Sequence, residues 1–320
     1  MRQRTKPALL MGAVLAVTAA GCSAPESSPD SDAEFPMTVD NCGEDLVIES
    51  RPERVLTIGH SAVELLDAAG ASDKITARAG EFGADLPDGL DTPPTDVDII
   101  DPADPGAEKI IGSGADIVVG YGLFNAEPAD LREMGVPNLV VHGECNHDDR
   151  VTEPVDFGTV IDDIERLAAV FGTEKAAEEN VSAISSEIDA LSGTAPGDRR
   201  SAAVVYYFSA AGDMSAQGTL HISNDVLDLA GFDNAFTDEA NYVPSSLESL
   251  LDADPEVIVL SYGVYGEDFA TARAKLLSEP GAEDLRAVRS GDIVGIPAAD
   301  LAPDPGAVDG LASLLEQTKP

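Results

Sequence analysis

Basic residues are scarce in this chain. Its 320 residues include 19 Lys and Arg against 59 Asp and Glu, which gives a formal net charge of −40 at pH 7. The acidic residues are spread along the chain and do not form one acidic tail. A surface of this sign repels a phosphate backbone, so the composition excludes a nucleic-acid partner. We interpret the excess of acid as a solubility feature rather than a cation-binding one.

The N-terminal apolar run, residues 8–20, is too short to span a membrane as a mature helix. It follows three basic residues and leads into Ala-Ala-Gly-Cys at 19–22, the arrangement of a secretory signal peptide. This end resembles a bacterial lipobox, with Ala19 where Leu is usual. The resemblance implies cleavage before Cys22, lipidation of its thiol and anchorage at the outer face of the cell membrane. An ordinary secretory signal with a chance cysteine is the alternative.

Residues 1–21 are thus assigned to a signal peptide. Residues 22–36 are rich in Ser, Pro, Asp and Glu, with little to bury, and are assigned to a solvated tether. Cysteine is nearly absent beyond this point, because only Cys42 and Cys145 remain. An extracytoplasmic compartment is oxidising, and two cysteines allow one intramolecular bridge. We therefore expect a Cys42–Cys145 disulfide; two free thiols are the alternative.

Signatures of catalysis and metal binding are missing as well. The sequence has no G-x-S-x-G, H-E-x-x-H, P-loop or C-x-x-C motif, and its four His lack the helical spacing of metal ligands. His142 and His147 flank Cys145, but a disulfide there removes the thiolate. A secreted hydrolase using His60 and Ser61 is the enzyme alternative, and it lacks a positioned oxyanion loop. We expect neither an enzyme nor a resident cofactor or metal.

One helix–strand pattern occurs twice. Residues 107–120 read AEKIIGSGADIVVG, and residues 247–260 read LESLLDADPEVIVL. Each predicts a short helix that begins near a Glu, a tight turn and a buried parallel strand. Strands alternate with helices in both halves, which predicts an α/β fold of two Rossmann-like lobes with parallel sheets.

The lobes are assigned to residues 37–156 and 193–320, joined by a long linking helix at 157–192. Apolar residues at helical spacing end at Phe171, where Gly172 and Thr173 interrupt the pattern before it resumes. Residues 83–106 are rich in Pro, Asp and Gly with weak periodicity, and are expected to be irregular.

Ligands of open α/β sheets bind beyond the carboxyl ends of the strands. The chain has no Trp and only 5% aromatic residues, so aromatics that directly follow predicted strands are informative. Arg78 leads the loop after a strand predicted at 74–77 and is available to an anionic group, whereas Tyr242 lies in a predicted loop. The candidate ligand-binding residues are His60, Arg78, Tyr121, Phe124 and His142 in the first lobe and Tyr207, Tyr242, Tyr262 and Tyr265 in the second.

Several segments, taken in order, resemble the ABC-transporter substrate-binding proteins for ferric siderophores, haem and cobalamin. The segments are the lipobox, RPERVLTIG at 51–59, AVELLDAAG at 62–70, the two Glu-led units, FGTVIDDIERLAAVFG at 157–172 and AVRSGDIVGIP at 287–297. The similarity covers about residues 40–317. Asn41-Cys42-Gly43 with Glu144-Cys145 further resembles an actinobacterial branch of that family.

The resemblance implies a monomeric, lipid-anchored receptor that hands an iron-siderophore-like ligand to an ABC importer, with one long helix between the lobes. A Glu on each lobe docks on Arg residues of the permease dimer in that family, and the matching positions are Glu108 and Glu248. The first unit departs from the family pattern, with Gly-Ala in place of Pro before Asp116. A capping box from Ser245 to Glu248 and a favourable helix dipole at Glu108 are the structural alternatives.

The sequence does not select the ligand within the family. Siderophore, haem, cobalamin and other large cofactors all stay open. Free metal-ion capture is a further alternative within the binding class, but it needs several convergent His or carboxylates. Only His60 and His142 stand at predicted strand ends.

Overall fold

The computed structural model describes residues 34–148, 153–207, 213–263 and 266–319, without the side chains of 146–148. The signal peptide, Cys22 and Tyr265 therefore lie outside the described residues. No helix in the described ranges is long and apolar enough to cross a membrane.

The described chain begins with a β-hairpin to which the sequence analysis gave no structure. Strands β1 (Met37–Asn41) and β2 (Glu44–Ile48) pair antiparallel, with Asn41 opposite Glu44. The two turn residues, Cys42 and Gly43, have φ angles of 58° and 81°, as a tight hairpin turn requires. A disulfide joins Cys42 to Cys145, with their Cα atoms 5.4 Å apart. The predicted bridge is confirmed, and it ties the hairpin tip to a 3-10 helix, His142–Asp148.

The sheet of the first half is parallel throughout, as predicted. Its strands run in the order β5-β4-β3-β6-β7. The strands are β3 (Val55–Ile58), β4 (Ile75–Ala79), β5 (Ile99–Asp101), β6 (Ile117–Gly120) and β7 (Asn138–Val140). Its helices are α1 (His60–Ala68), α2 (Ala107–Gly112) and α3 (Pro128–Glu133). We call this part lobe one.

Two predictions for lobe one were wrong in detail. The strand after α1 extends to Ala79, so Arg78 lies within β4 and does not lead a loop. The stretch at 83–106 was expected to be irregular, yet it contains β5 at the sheet edge. This strand has only three residues, which is too short for an alternating pattern of apolar residues to be recognised in the sequence.

Two helices link the halves of the molecule. Helix α4 (Phe157–Phe171) ends at Gly172, whose φ of 73° is left-handed and whose N–H reaches the carbonyl of Ala168. Helix α5 (Glu174–Ser192) follows. The interruption predicted at Gly172 and Thr173 is confirmed, and the single continuous helix implied by the resemblance is corrected to two.

The second half, lobe two, has a mixed sheet in the order β11-β9-β8-β12-β13, with β10 beside the start of β8. The strands are β8 (Arg200–Tyr207), β9 (Met214–Gln217), β10 (Phe232–Asn234), β11 (Tyr242–Ser245), β12 (Val257–Tyr262) and β13 (Ile293–Pro297). The helices are α6 (Ile222–Leu229), α7 (Leu247–Ala253), α8 (Phe269–Ser278), α9 (Arg286–Ser290) and α10 (Ala307–Gln317).

The α/β fold class is confirmed, but the purely parallel sheet predicted for lobe two is wrong. Strand β9 runs antiparallel to both β8 and β11. Tyr242 therefore starts an edge strand, where a loop was expected. Strands β9 and β11 read MSAQ and YVPS, and neither shows the apolar run that marked the parallel strands.

One hydrophobic core continues from lobe one into lobe two. It joins buried residues of α1 and α4, such as Leu66 and Leu167, to those of β8, α6 and α10, such as Val204 and Leu311. Each lobe also buries the other face of its own sheet, around Ile58 in lobe one and Leu260 in lobe two. This shared core joins the two lobes.

Candidate functional site

Tyr121 lies at the carboxyl edge of the lobe-one sheet, where its side chain packs against the backbone of two glycines. A Cβ atom at Gly59 would lie 3.2 Å from the Tyr121 ring, and one at Gly80 would lie 2.4 Å from its hydroxyl oxygen. Gly120 brings the strand end close to β3, since a Cβ there would meet the carbonyl oxygen of Ile58 at 2.2 Å. Only glycine at these points leaves room for the phenol. Phe124 stands beside it, with ring centroids 6.2 Å apart.

The floor beside Tyr121 is a buried ion pair. The Nη1 atom of Arg78 donates to both carboxylate oxygens of Glu81 at 3.1 and 3.2 Å, and Nη2 donates to the carbonyl of Val97 at 3.3 Å. His60 Nε2 lies 3.9 Å from the same carboxylate. Burial lowers the pKa of His60, and Arg78 adds to this, so the imidazole is neutral at pH 7. The charge of Arg78 is thus already matched by Glu81, which the sequence analysis missed.

His142 holds the hairpin to lobe one. Its Nε2 lies 3.0 Å from Asp40 on β1, and its Nδ1 lies 3.7 Å from Asp163 on α4. Both ring nitrogens therefore face carboxylates of the scaffold. The sequence placed His142 correctly after a strand, but these contacts give it a positioning role. A ligand contact by His142 stays a prediction.

Glu144 lies where the two lobes face each other, and sequence reasoning did not select it as a site residue. Burial and then the carboxylates of Asp304 and Asp163 raise the pKa of Glu144 to about 7. Burial also raises the pKa of the phenols of Tyr121 in lobe one and Tyr242 in lobe two, and the Glu144 carboxylate adds to both shifts. Both phenols are therefore neutral at pH 7 and can donate hydrogen bonds.

Lobe two contributes an aromatic cluster built on Tyr242. Its ring lies 5.9 Å from that of Tyr206 and 5.4 Å from that of His221. His221 caps α6, since its Nδ1 accepts from the backbone N–H of Ser223 at 3.1 Å. Burial lowers the pKa of His221 to about 3, so the ring is neutral. The sequence analysis predicted Tyr242 and missed Tyr206 and His221, since one lies inside an apolar run and the other begins a helix.

Two other tyrosines predicted for lobe two, Tyr207 and Tyr262, pack elsewhere. Tyr207 follows Tyr206 on β8, so the two side chains project from opposite faces of the sheet. Its ring packs under Lys275 of α8, with Nζ 5.0 Å from the ring centroid. Tyr262 packs on Phe269, with centroids 5.8 Å apart. Both belong to the core on the far face of lobe two, and a ligand contact by either stays a prediction.

The lobes touch beside Tyr242. A small cavity of about 10 Å³ is lined by Gly143 and Glu144 from lobe one and by His221 and Tyr242 from lobe two. A Cβ at Gly143 would lie 2.4 Å from Pro303. We call the region between Tyr121 and Tyr242 the cleft. Across the described part of the chain, no three His, Cys, Asp or Glu side chains converge as metal ligands.

Glu108 and Glu248 occupy the same place in the two repeated units. Each is exposed in the first turn of its helix, α2 or α7, ahead of β6 or β12. The capping box considered for Glu248 is wrong, because Ser246 and Ser249 form it: Ser246 N donates to Ser249 Oγ at 2.8 Å. Neither Glu side chain forms an ion pair or hydrogen bond with another described residue.

Comparison with known proteins gives a consistent result. A family model described as periplasmic binding protein matches residues 55–299. An uncharacterised ABC transporter substrate-binding lipoprotein of Bacillus subtilis is 25% identical over 272 residues, covering 80% of each chain. A cobalamin-binding protein of Halobacterium salinarum is 25% identical over 305 residues, covering 92% of this chain and 79% of that one.

Among solved structures, an ABC-type Fe3+-hydroxamate transport protein of Saccharomonospora viridis superimposes with a TM-score of 0.78. It is 26% identical, and the match covers 90% of this chain and 100% of that one. The α/β fold, the two lobes and the family match all indicate the same kind of protein. The chain belongs to the periplasmic binding protein family, whose members are solute-binding proteins and not enzymes.

Proposed function

We propose that this protein is an extracytoplasmic receptor that binds a ferric siderophore or similar large iron chelate and delivers it to an ABC importer. The observation that carries the proposal is the cleft between the lobes, where Tyr121 lies beside Phe124 in lobe one, Tyr242 lies beside Tyr206 in lobe two, and Tyr242 lines one cavity with Glu144. Such phenols offer both aromatic faces and hydrogen-bond donors to a large organic ligand. The similarity to the Fe3+-hydroxamate transport protein supports the ligand class.

The charge of the cleft narrows the class of chelate. Arg78 is the basic residue among the described side chains that we assign to the cleft, and Glu81 already neutralises it. Glu144 adds a carboxyl group that is partly ionised at pH 7, and the whole chain carries −40. Three hydroxamates neutralise Fe3+, whereas three catecholates leave a triply negative complex and haem carries two propionates. The described residues of the cleft are acidic and include no free base, which favours the neutral hydroxamate complex.

Cobalamin is the second candidate, and one observation supports it. The Halobacterium salinarum relative, similar over 92% of this chain, is a cobalamin-binding protein. Cobalamin carries no cluster of negative groups, so the charge of the cleft does not separate it from a hydroxamate complex.

Ligand titration tests both candidates directly. The protein has six Tyr and no Trp, so tyrosine fluorescence reports on the cleft. We expect a ferric tris-hydroxamate to quench it with a sub-micromolar Kd, and a ferric tris-catecholate and haem to bind far more weakly. Tight binding of cyanocobalamin alone would move the assignment to the second candidate. Absence of binding by all four ligands would overturn the proposal.

Delivery to the importer is assigned to Glu108 and Glu248. Their exposure, their equivalent positions and the serine-made cap at α7 support docking over a purely structural role. Carboxylates at matching points on two lobes can each meet an Arg fork of a permease dimer, which fixes orientation. The double change Glu108→Ala, Glu248→Ala should leave ligand affinity and melting temperature intact while uptake falls steeply. Asp130→Ala, an acid in the first turn of α3, is the matched control, and normal uptake by the double variant would exclude docking by this pair.

Attachment to the membrane is assigned to lipidated Cys22. The residue lies outside the described part of the chain, and support comes from its sequence context and from the Bacillus subtilis relative, which is named a lipoprotein. Cys22→Ser should release the protein into the medium. Retention of that variant in the membrane fraction would contradict the assignment.

A further inference from the structure

A second cavity adjoins the cleft on the hairpin side of lobe one. It has a volume of about 270 Å³ and lies between the β1–β2 turn, the segment after β6 and the edge strand β7. Phe124 and Glu144 line both this cavity and the edge of the cleft. We call this cavity the side pocket. One part of a ligand can therefore occupy the side pocket while the rest of the same ligand lies between the lobes.

The wall of the side pocket contains an unsatisfied buried acceptor. Asn138 is 3% exposed, and its Oδ1 accepts no hydrogen bond from the described residues. Asn138 and Val140 project from the same face of β7, opposite the core residue Leu139, and both line the pocket. The backbone of β7 is satisfied separately, since Asn41 accepts from Val140 N at 2.7 Å and donates to the carbonyl of Asn138 at 3.2 Å. A buried amide oxygen without a partner among the described residues can accept a hydrogen bond from a bound molecule.

The charges around the pocket specify what kind of donor fits. Three acids line it, Glu44, Glu127 and Glu144, against one base, Arg132. Phe124 and Leu123 supply apolar surface. An apolar chain that ends in an ammonium group matches this lining, because the ammonium has three donors and no acceptor.

We propose that the side pocket binds the protonated amine arm of an iron chelate whose metal-bearing part occupies the cleft. The inference rests on the proposed receptor function and names its ligand class more closely. Asn138 Oδ1 and the Glu144 carboxylate accept hydrogen bonds from the ammonium, and Phe124 covers its alkyl chain. Recognition of the arm distinguishes chelates that share the same ferric centre.

A pair of ligands that differ only at the arm tests the inference. The probes are a ferric tris-hydroxamate that carries a terminal primary amine and the same chelate with that amine acetylated. Acetylation removes the charge and leaves the metal centre unchanged. We expect the amine form to bind about tenfold to a hundredfold more tightly, as for hydrogen bonds to a charged group. Equal affinities would overturn the side-pocket assignment and leave the receptor function standing, whereas absence of binding by both would overturn the receptor function as well.

Variants of the residues that line the side pocket then test whether the preference for the amine arises there. Glu144→Gln and Asn138→Leu should each reduce the preference for the amine, while Asn138→Asp, which keeps the acceptor and adds charge, should increase it. Glu178→Gln removes an exposed acid on α5, outside the pocket, and is the control for net charge. An unchanged preference in folded Glu144→Gln and Asn138→Asp proteins would overturn the proposal, as would the same loss in Glu178→Gln.

Discussion

The two lobes share a repeated helix–strand unit and yet present different surfaces to the cleft. Lobe one keeps a fully parallel sheet, and its strand ends carry a charged floor, Arg78 with Glu81, under one tyrosine. Lobe two inserts the antiparallel strands β9 and β11, and this insertion brings Tyr242 beside Tyr206. The shared unit keeps Glu108 and Glu248 equivalent, while the inserted strands make the two cleft walls different.

Removing the buried ion pair between Arg78 and Glu81 in lobe one should have the largest effect on stability. Arg78→Met leaves the Glu81 carboxylate buried and unpaired, which costs about 3–5 kcal/mol of unfolding free energy. The loss should shrink at lower pH, because burial raises the pKa of Glu81 and protonation removes the unpaired charge. Urea unfolding at pH 7 and pH 5 measures this. Adding Glu81→Gln should restore most of the stability and retain tris-hydroxamate binding. A loss of binding in that double variant would return Arg78 to the role of a direct ligand contact.

Removing the disulfide should have the second-largest effect on stability, and it should affect lobe one more than lobe two. It links the hairpin to lobe one, and lobe two contains no cysteine. The double change Cys42→Ser, Cys145→Ser should lower the unfolding free energy by about 2–5 kcal/mol. Hydrogen exchange should increase in β1, β2 and β7 and stay low in β8 and β12. Equal loss of protection in both sheets would show that the bridge stabilises the molecule as a whole.

The junction between the lobes should show a pH dependence of its own. Glu64 of α1 and Asp304 of lobe two both accept from Gly306 N, at 2.8 and 2.9 Å. Burial and the neighbouring Asp304 carboxylate raise the pKa of Glu64. The native state therefore keeps a proton that the unfolded chain loses above its ordinary pKa of about 4.3. Stability should fall as pH rises from there, by at most about 1.4 kcal/mol per pH unit.

His221 produces the opposite trend at lower pH. Its pKa is lowered to about 3 in the native state, so stability should fall as pH drops below about 6.5, where the unfolded imidazole gains a proton. Glu64→Gln should remove the decline above pH 6.5, and His221→Asn should remove the decline on the acid side. Thermal melting from pH 4 to pH 9 separates the two. An alkaline decline that persists in Glu64→Gln would assign it to other carboxylates whose pKa is raised by burial, such as Glu144.

The smallest effects should come from single hydroxyl groups on the two cleft walls. Tyr121→Phe and Tyr242→Phe each remove one donor, which should weaken tris-hydroxamate binding by about 0.5–1.5 kcal/mol. Tyr207→Phe is the matched control, because that phenol lies on the far face of lobe two. Isothermal titration at one salt concentration compares all three. Equal losses at Tyr207 and Tyr242 would show that the wall assigned to lobe two is wrong.

Local patterns were sufficient for much of this fold. The helix α4, the buried run of β12 and the break at Gly172 all follow from spacing within about 20 residues. The disulfide followed from composition, since two cysteines in an oxidising compartment have one way to pair. Tyr121 and Tyr242 were selected as candidates because ligands of α/β sheets bind beyond the strand ends, and their contact with a ligand stays a prediction.

The rest depended on contacts between distant parts of the chain. Glu81 gives no signal in the sequence until β4 and its loop bring it against Arg78. The bond from Gly306 to Glu64 spans 242 residues, and Asn41 meets β7 across 97. Strand β11 became a strand only because the edge of β9 was available to pair with it. Composition and short-range spacing determined the fold class, the compartment and the helices. The cleft walls were decided by tertiary packing, because charge pairing and the pairing of edge strands depend on distance in space and not along the chain.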